Sequence, residues 1–289
     1  MPSTSRVLYA YSLHARQQSG EVVNYAGLLD ALQRAESLRR RANLGDGEVV
    51  ILREIRQYGT AWELRFLSGH EHESLLLFDV ENDRERDDPR GAGEIVVRPT
   101  MLYVNPESRL VALERRYLGL GAATIARALE IIGAEVEFAS DLTIELNPVA
   151  SASFSEELQR FQRIRQASVT LARPNYDWTD NANTLTEYAA ESEGQTIALE
   201  MTAPRGGSLA KDRGIVKDIK DLAARLLAPV KSVKIIGRHS PQDPEQSLTL
   251  RSHQAREHVK VDAQATADEQ RVQVGDAAMA WACDRFVGR

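Results

Sequence analysis

The residues with the plainest chemical purpose in this sequence are cations. Between Pro204 and Arg238 stand Arg205, Lys211, Arg213, Lys217, Lys220, Arg225, Lys231, Lys234 and Arg238, against Asp212, Asp218 and Asp221. Nine positive residues against three negative ones make this stretch +6, in a chain whose formal net charge is −6. Positive charge gathered this way marks a surface for an anion, and the largest common anion is nucleic acid. Arg160, Arg163 and Arg165 form a second, smaller cluster upstream.

An element has to present these groups. Ser208 is placed to cap a helix running to about Ala228, with Pro229 ending it. Ile215, Ile219, Leu222 and Leu226 recur at helical spacing, and Arg213, Lys217 and Lys220 fall nearly opposite them. Such a helix buries one side and offers ammonium and guanidinium groups on the other. A plain solvated face fits the same pattern. The preceding Arg205-Gly206-Gly207-Ser208 can cradle an anion, because glycines let backbone N–H groups approach a phosphate and a helix N-terminus adds partial positive charge. The P-loop pattern G-x-x-x-x-G-K-[ST] is absent, so nothing points to nucleotide hydrolysis.

Composition bounds the rest. At 289 residues the chain has room for one large domain or two ordinary ones. Its 43% hydrophobic and 27% charged content argues against disorder. No apolar run reaches the roughly eighteen residues of a membrane helix, and the first residues lack the apolar core of a signal peptide. The single cysteine, Cys283, excludes an internal disulfide and a multi-cysteine zinc site. The expectation is a reduced, cytosolic protein. Its acidic total argues against indiscriminate coating of nucleic acid, since the long-range field repels phosphates.

The pattern predicts an α+β fold of antiparallel sheets with helices, in two subdomains: residues 1–136 and residues 137–289. Arg6–Leu13 is a strand. Asn24 caps a helix striped by Leu28, Leu29, Leu32 and Leu38 and closed by Arg39–Arg41. Three apolar runs from Glu48 to Val80 form a meander. Strands around Val97, Tyr103 and Leu113 precede a helix over Thr124–Ile132 that stops at Gly133. Asp141–Leu146 is a strand, Ser155–Phe161 a short helix, and Ala167–Ala172 and Gln195–Thr202 are strands. The end of the chain is an amphipathic helix whose Met279, Trp281, Ala282 and Phe286 pack on the body or on a second subunit.

Catalytic patterns are sparse. His70 and His72 lack a third metal ligand, and the acidic loop Asn82–Gly93 does not match a calcium loop, so no metal or cofactor is expected. Cys283 has no activating partner placed by sequence. A divalent-metal nuclease built from dispersed acids, such as Glu200 with Lys211 or Glu63 with Asp79, is one alternative. A binding protein whose basic helix docks an acidic partner is another.

The texture of the chain is similar to the phage-exclusion proteins of the RexA type. The likeness is carried by the strand LYAYSLHA, the helix NYAGLLDALQ, the run ESRLVALERRYLGLGAATIARALEIIG, and the strands DLTIEL and RIRQASVTLARP. It is densest over IALEMTAPRGGSLAKDRGIVKDIKDLAARL, and SLTLRS and AMAWACDRF follow in order. The resemblance implies a two-part protomer, a homodimer, and DNA binding without strong sequence preference. It also implies a part in sensing phage replication or recombination and signalling to a membrane effector encoded nearby. The expected DNA contacts are Arg205, Lys211, Arg213, Lys217 and Lys220, followed by Arg160, Arg163 and Arg165, all to backbone phosphates and none catalytic.

Overall fold

The first strand organises the architecture. In chain order the elements are β1 (Ser3–Gln17), α1 (Tyr25–Arg34), β2 (Arg41–Gly45), β3 (Glu48–Tyr58), β4 (Ala61–His70), β5 (Leu76–Asp79), β6 (Arg84–Asp87), β7 (Arg98–Asn105), β8 (Leu110–Arg115), α2 (Ala122–Glu135), β9 (Leu142–Pro148), α3 (Ala152–Arg160), β10 (Arg163–Ala172), β11 (Thr196–Thr202), α4 (Gly214–Ala223), β12 (Val230–Arg238), β13 (Gln246–Thr249), β14 (Arg256–Asp262) and α5 (Ala267–Asp284). This computed structural model describes residues 3–17, 23–71, 76–79, 84–87, 94–116, 118–172 and 196–284. The fold is α+β, and its strand pairs are antiparallel.

An eight-stranded sheet runs β14-β1-β8-β7-β4-β3-β2, with β9 also on β1. β1 is 15 residues long. One of its edges is divided: Ser3–Tyr9 pair with β14, and Tyr11–Gln17 pair with β9. The larger sheet therefore draws β9, β14 and α5 from beyond residue 136. A four-stranded sheet, β11-β10-β12-β13, lies within residues 163–249 and carries α3 and α4 on one face.

Period-two alternation sorts each strand of the larger sheet between two cores. Trp62, Leu64, Phe66, Leu102, Val104, Val111 and Leu113 face α1 and α2. Leu8, Ala10, Met101, Tyr103, Leu110 and Ala112 face α5, which contributes Val274, Ala278 and Trp281. β7 is thus apolar on both faces, as a central strand must be. That is why it takes the second edge of β4, where the sequence suggested the run at Leu76; β5 pairs with β6 instead.

Helix boundaries differ from the sequence expectations in instructive ways. Asn24 does cap α1, its Oδ1 accepting the Gly27 N–H at 2.9 Å. The helix ends at Arg34, and Leu38 is exposed. Arg39 instead donates to Glu135 O and Glu137. α2 runs through Gly133 to Glu135. A Cβ on Gly133 would sit 2.8 Å from Leu142 Cδ2, so this glycine lets β9 press against the helix and does not break it. His72 and Phe286, and the side chains of Asp79 and Cys283, lie outside the described residues.

Two buried polar groups tune this scaffold. His14 is 9% exposed, with Nε2 3.0 Å from Ser12 Oγ. Burial, and secondarily the charge of Arg109, push its pKa down to about 4. The folded state therefore holds a neutral imidazole. Its stability contribution is complete above the unfolded value near 6.5 and is lost as pH falls from there toward 4. We expect this one residue to remove about 3 kcal/mol of stability across that window. His14→Gln should flatten the acid limb of a urea-denaturation series taken from pH 7 to pH 4.

Beneath α5, Arg271 lies 3.1 Å from Glu54 and 3.9 Å from the buried Glu63. Burial raises the pKa of Glu63 although Arg271 opposes it. Removing the guanidinium takes from the buried Glu63 its paired cation, while Glu54 keeps Arg65 and Arg56. Arg271→Ala should cost about 3 kcal/mol, read by thermal or chemical denaturation. Alanine at the exposed Arg160 should cost little.

Candidate nucleic-acid interface

α4 forms because Ile215, Val216, Ile219 and Leu222 give it one apolar stripe, all buried against the four-stranded sheet. It is shorter than the sequence suggests. Arg213 occupies the N-cap position, and Gly214 takes a φ of +62° that a residue with a Cβ rarely adopts. Ser208 is not the cap. Its hydroxyl accepts the Ile164 N–H at 3.0 Å and donates to Leu209 O. Leu226, beyond the helix, packs against the core under α5.

The outer face of α4 is charge-balanced. Arg213, Lys217 and Lys220 share residues 212–221 with Asp212, Asp218 and Asp221. Lys217 donates to Asp221 at 2.9 Å, a contact that holds its ammonium above its usual pKa. Arg213 and Lys220 make no side-chain hydrogen bond or ion pair with a described residue.

Positive charge gathers instead at one end of the four-stranded sheet. The segment from Ala203 to Arg213 leaves β11 and is stitched to the start of β10. Ala203 N–H donates to Arg165 O at 2.7 Å, and Leu209 N–H donates to Ile164 O at 2.9 Å. Arg163 Nε donates to Gly207 O at 2.7 Å. Lys211 Nζ reaches Gln159 O, at the C-terminus of α3, at 2.9 Å. The two sequence clusters, about forty residues apart, thus become one surface carrying Arg160, Arg163, Arg165, Arg205, Lys211 and Arg213.

Arg238 belongs to the same surface, because it stands opposite Arg163 in the β10–β12 register. The sequence hint was the run Lys234-Ile-Ile-Gly-Arg238, readable as a strand against Arg163–Ala172. Two carboxylates brace the group. Glu245 lies 2.8 Å from Arg165 and 3.7 Å from Arg238. Glu157 lies 3.0 Å from Arg160 and 2.9 Å from His239, whose ring stacks on Phe161 at 4.8 Å.

The chain matches no protein-family model, and no curated protein resembles it significantly. Its function must therefore be argued from the site.

The site residues divide by the work they already do. Arg163, Arg165 and Lys211 hold backbone or carboxylate partners within the fold. Arg160 is paired with Glu157 but is largely exposed. Arg205 and Arg213 are exposed, with no side-chain partner among the described residues. The N-terminus of α4 opens beside Arg213 without a side-chain cap. Its free N–H groups and partial positive charge add to the field of the cations. This arrangement can bind the oxygens of an extended polyanion. The acids considered for a metal site are not gathered on it: Glu63 lies beneath α5 beside Arg271, and Glu200 is exposed in the middle of β11, opposite Ser168.

The hydrogen bonds that pin the loop are testable on their own. Arg163→Met and Ser208→Ala each remove one anchor, leaving Gly207 O or the buried-strand Ile164 N–H to water. Each should cost about 1 kcal/mol. Both should speed amide exchange over residues 204–213 while leaving the larger sheet unchanged.

Proposed function

We propose that this protein binds DNA through backbone phosphates, largely without regard to sequence, using the basic end of the four-stranded unit. The observation that supports this most is the stitching of Arg160–Arg165 onto Arg205–Arg213, which turns two dispersed clusters into one cationic surface. The groups are guanidinium and ammonium on a loop, two strand ends, the C-terminus of α3 and the N-terminus of α4. Among the described residues these cations do not line one exposed helix face that could read base edges in a groove, so the chemistry favours phosphate over sequence. The affinity is electrostatic and comes from counterion release.

The resemblance to RexA-type exclusion proteins gives this activity a setting. In that reading the protein is a homodimeric sensor in anti-phage defence, and DNA engagement is passed to a membrane effector. No described helix is long and apolar enough to cross a membrane, so a membrane step would fall to the effector. Two such surfaces in a dimer would gain by avidity along one duplex.

The experiment is an anisotropy titration of a labelled duplex at two salt concentrations. Wild type should bind, and binding should weaken steeply with salt. Arg160→Glu/Arg205→Glu/Arg213→Glu should weaken binding tenfold or more and reduce the log–log salt slope by about 3. Lys217→Glu/Lys220→Glu, on the balanced helix face, should have the smaller effect. No binding by wild type removes the DNA reading. Equal binding by the triple variant moves the interface elsewhere. Retention of an acidic partner protein after nuclease treatment, with no DNA affinity, would favour the protein-docking alternative.

A further inference from the structure

A second site lies at the outer edge of β9, apart from the basic surface. β9 pairs with β1 on one side only. The parity of that edge follows from hydrogen bonds on β1. Leu13 N–H donates to Arg109 O, and Ala15 N–H donates to the Tyr25 hydroxyl, so both point away from β9. Their partners Leu146 and Ile144 are therefore non-hydrogen-bonded pairs whose own backbone groups point outward. The Ile144 N–H is capped by Glu130 Oε1 at 2.8 Å. Among the described residues, Ile144 C=O, Leu146 N–H and Leu146 C=O have no partner.

A cleft of about 390 Å³ runs along this same edge. α2 lines it with Ala123 and Ala126, side chains too small to fill it, and with Arg127 and Glu130. β12 adds Lys231 from across the junction. Asn147 also lines it; this residue is 3% exposed, and its Nδ2 has no acceptor among the described residues. A buried donor of this kind is costly unless something accepts from it.

The charges select the occupant. Arg127 pairs with Glu130 at 3.1 Å, and Lys231 pairs with Glu145 at 2.7 Å. The cleft therefore holds two cations and two carboxylates, already matched, and has no surplus for a polyanion. Its open valences are one amide N–H, two carbonyls and one carboxamide NH₂. Those suit a neutral polypeptide backbone. The edge is also bounded, by the Glu130 cap at one end and by Pro148, which has no N–H, at the other.

We propose that this edge binds a short extended peptide segment of a partner protein by strand addition. The segment pairs alongside Ile144–Leu146 and places a carbonyl oxygen, from its side chain or backbone, on Asn147 Nδ2. The proposal is independent of DNA binding and uses none of the same residues.

The test uses the full chain and a displayed random octapeptide library as probe. Enriched peptides are synthesised, labelled and titrated against wild type, Leu146→Pro and Ala123→Tyr. Leu146→Pro removes an outward N–H together with a side chain packed at the margin of the core, and it spares the ladder to β1. Ala123→Tyr fills the cleft from an exposed helix position. Convergent peptides that bind wild type, lose at least tenfold affinity in both variants, and slow exchange of the Leu146 amide support the proposal. If Leu146→Pro fails to fold, Ala123→Tyr and the exchange measurement decide. Equal binding to wild type and Ala123→Tyr, or no enrichment over a blank surface, overturns it. Displacement of the peptide by duplex DNA, with loss of exchange protection, would assign the edge to nucleic acid and also overturn it.

Discussion

The rest of the structure depends on how the edge of β1 is shared. A 15-residue strand is longer than either of its partners on that edge can cover, so β14 takes one half and β9 the other. Ala10 sits at the change-over. Its N–H donates to Ala255 O, and its carbonyl accepts from Val149 N–H and from the buried Gln254 side chain. These are the two points where the chain passes between the large sheet and the four-stranded unit. They are also bonded to each other, through Ala255 N–H to Val149 O and Ser151 N–H to His253 O. A single residue pair of strands therefore fixes where the smaller unit leaves the larger one and where it returns.

That arrangement sets the position of both candidate sites. The basic surface lies at the end of the four-stranded unit where α3 closes, β10 begins and β12 ends. The β9 edge lies beside the crossing itself, which explains why Lys231 of the smaller unit reaches Glu145 of the larger sheet. One surface has cations in excess of the acids that brace it. The other has cations matched one to one. Charge balance, more than shape, separates the proposed phosphate-binding surface from the proposed peptide-binding edge.

Within the larger unit, burial of charge is a cost the fold carries. Glu63 and Glu114 stand on the α5 face because strand parity puts them there, between Trp62 and Leu64 and after Leu113 on the opposite face. Arg271 and Arg116 reach them from α5 and from the end of β8. The guanidinium groups reduce the penalty without cancelling it, since burial still raises the pKa of Glu63. α5 owes its seat to Val274, Ala278 and Trp281, and its register on the sheet is marked by Arg271.

By itself the sequence determined the fold class, most strands, the Asn24 cap and the apolar stripe of α4. Those are set by alternation, helical spacing and a side chain bonding three residues away, all of which are local. It also located the cations, because charge is a property of residues. It could not tell which cations are engaged, because a window total ignores where side chains point. Lys217 meets Asp221 within one helix turn, whereas Arg165 and Arg238 meet Glu245 only through sheet register. The role of Ser208, the extension of α2 through Gly133, and the placing of β9 and β14 on one strand edge were decided by tertiary contacts between segments tens to hundreds of residues apart. Pairing across such separations depends on which edges remain open after the rest of the chain has packed, and no local pattern encodes that.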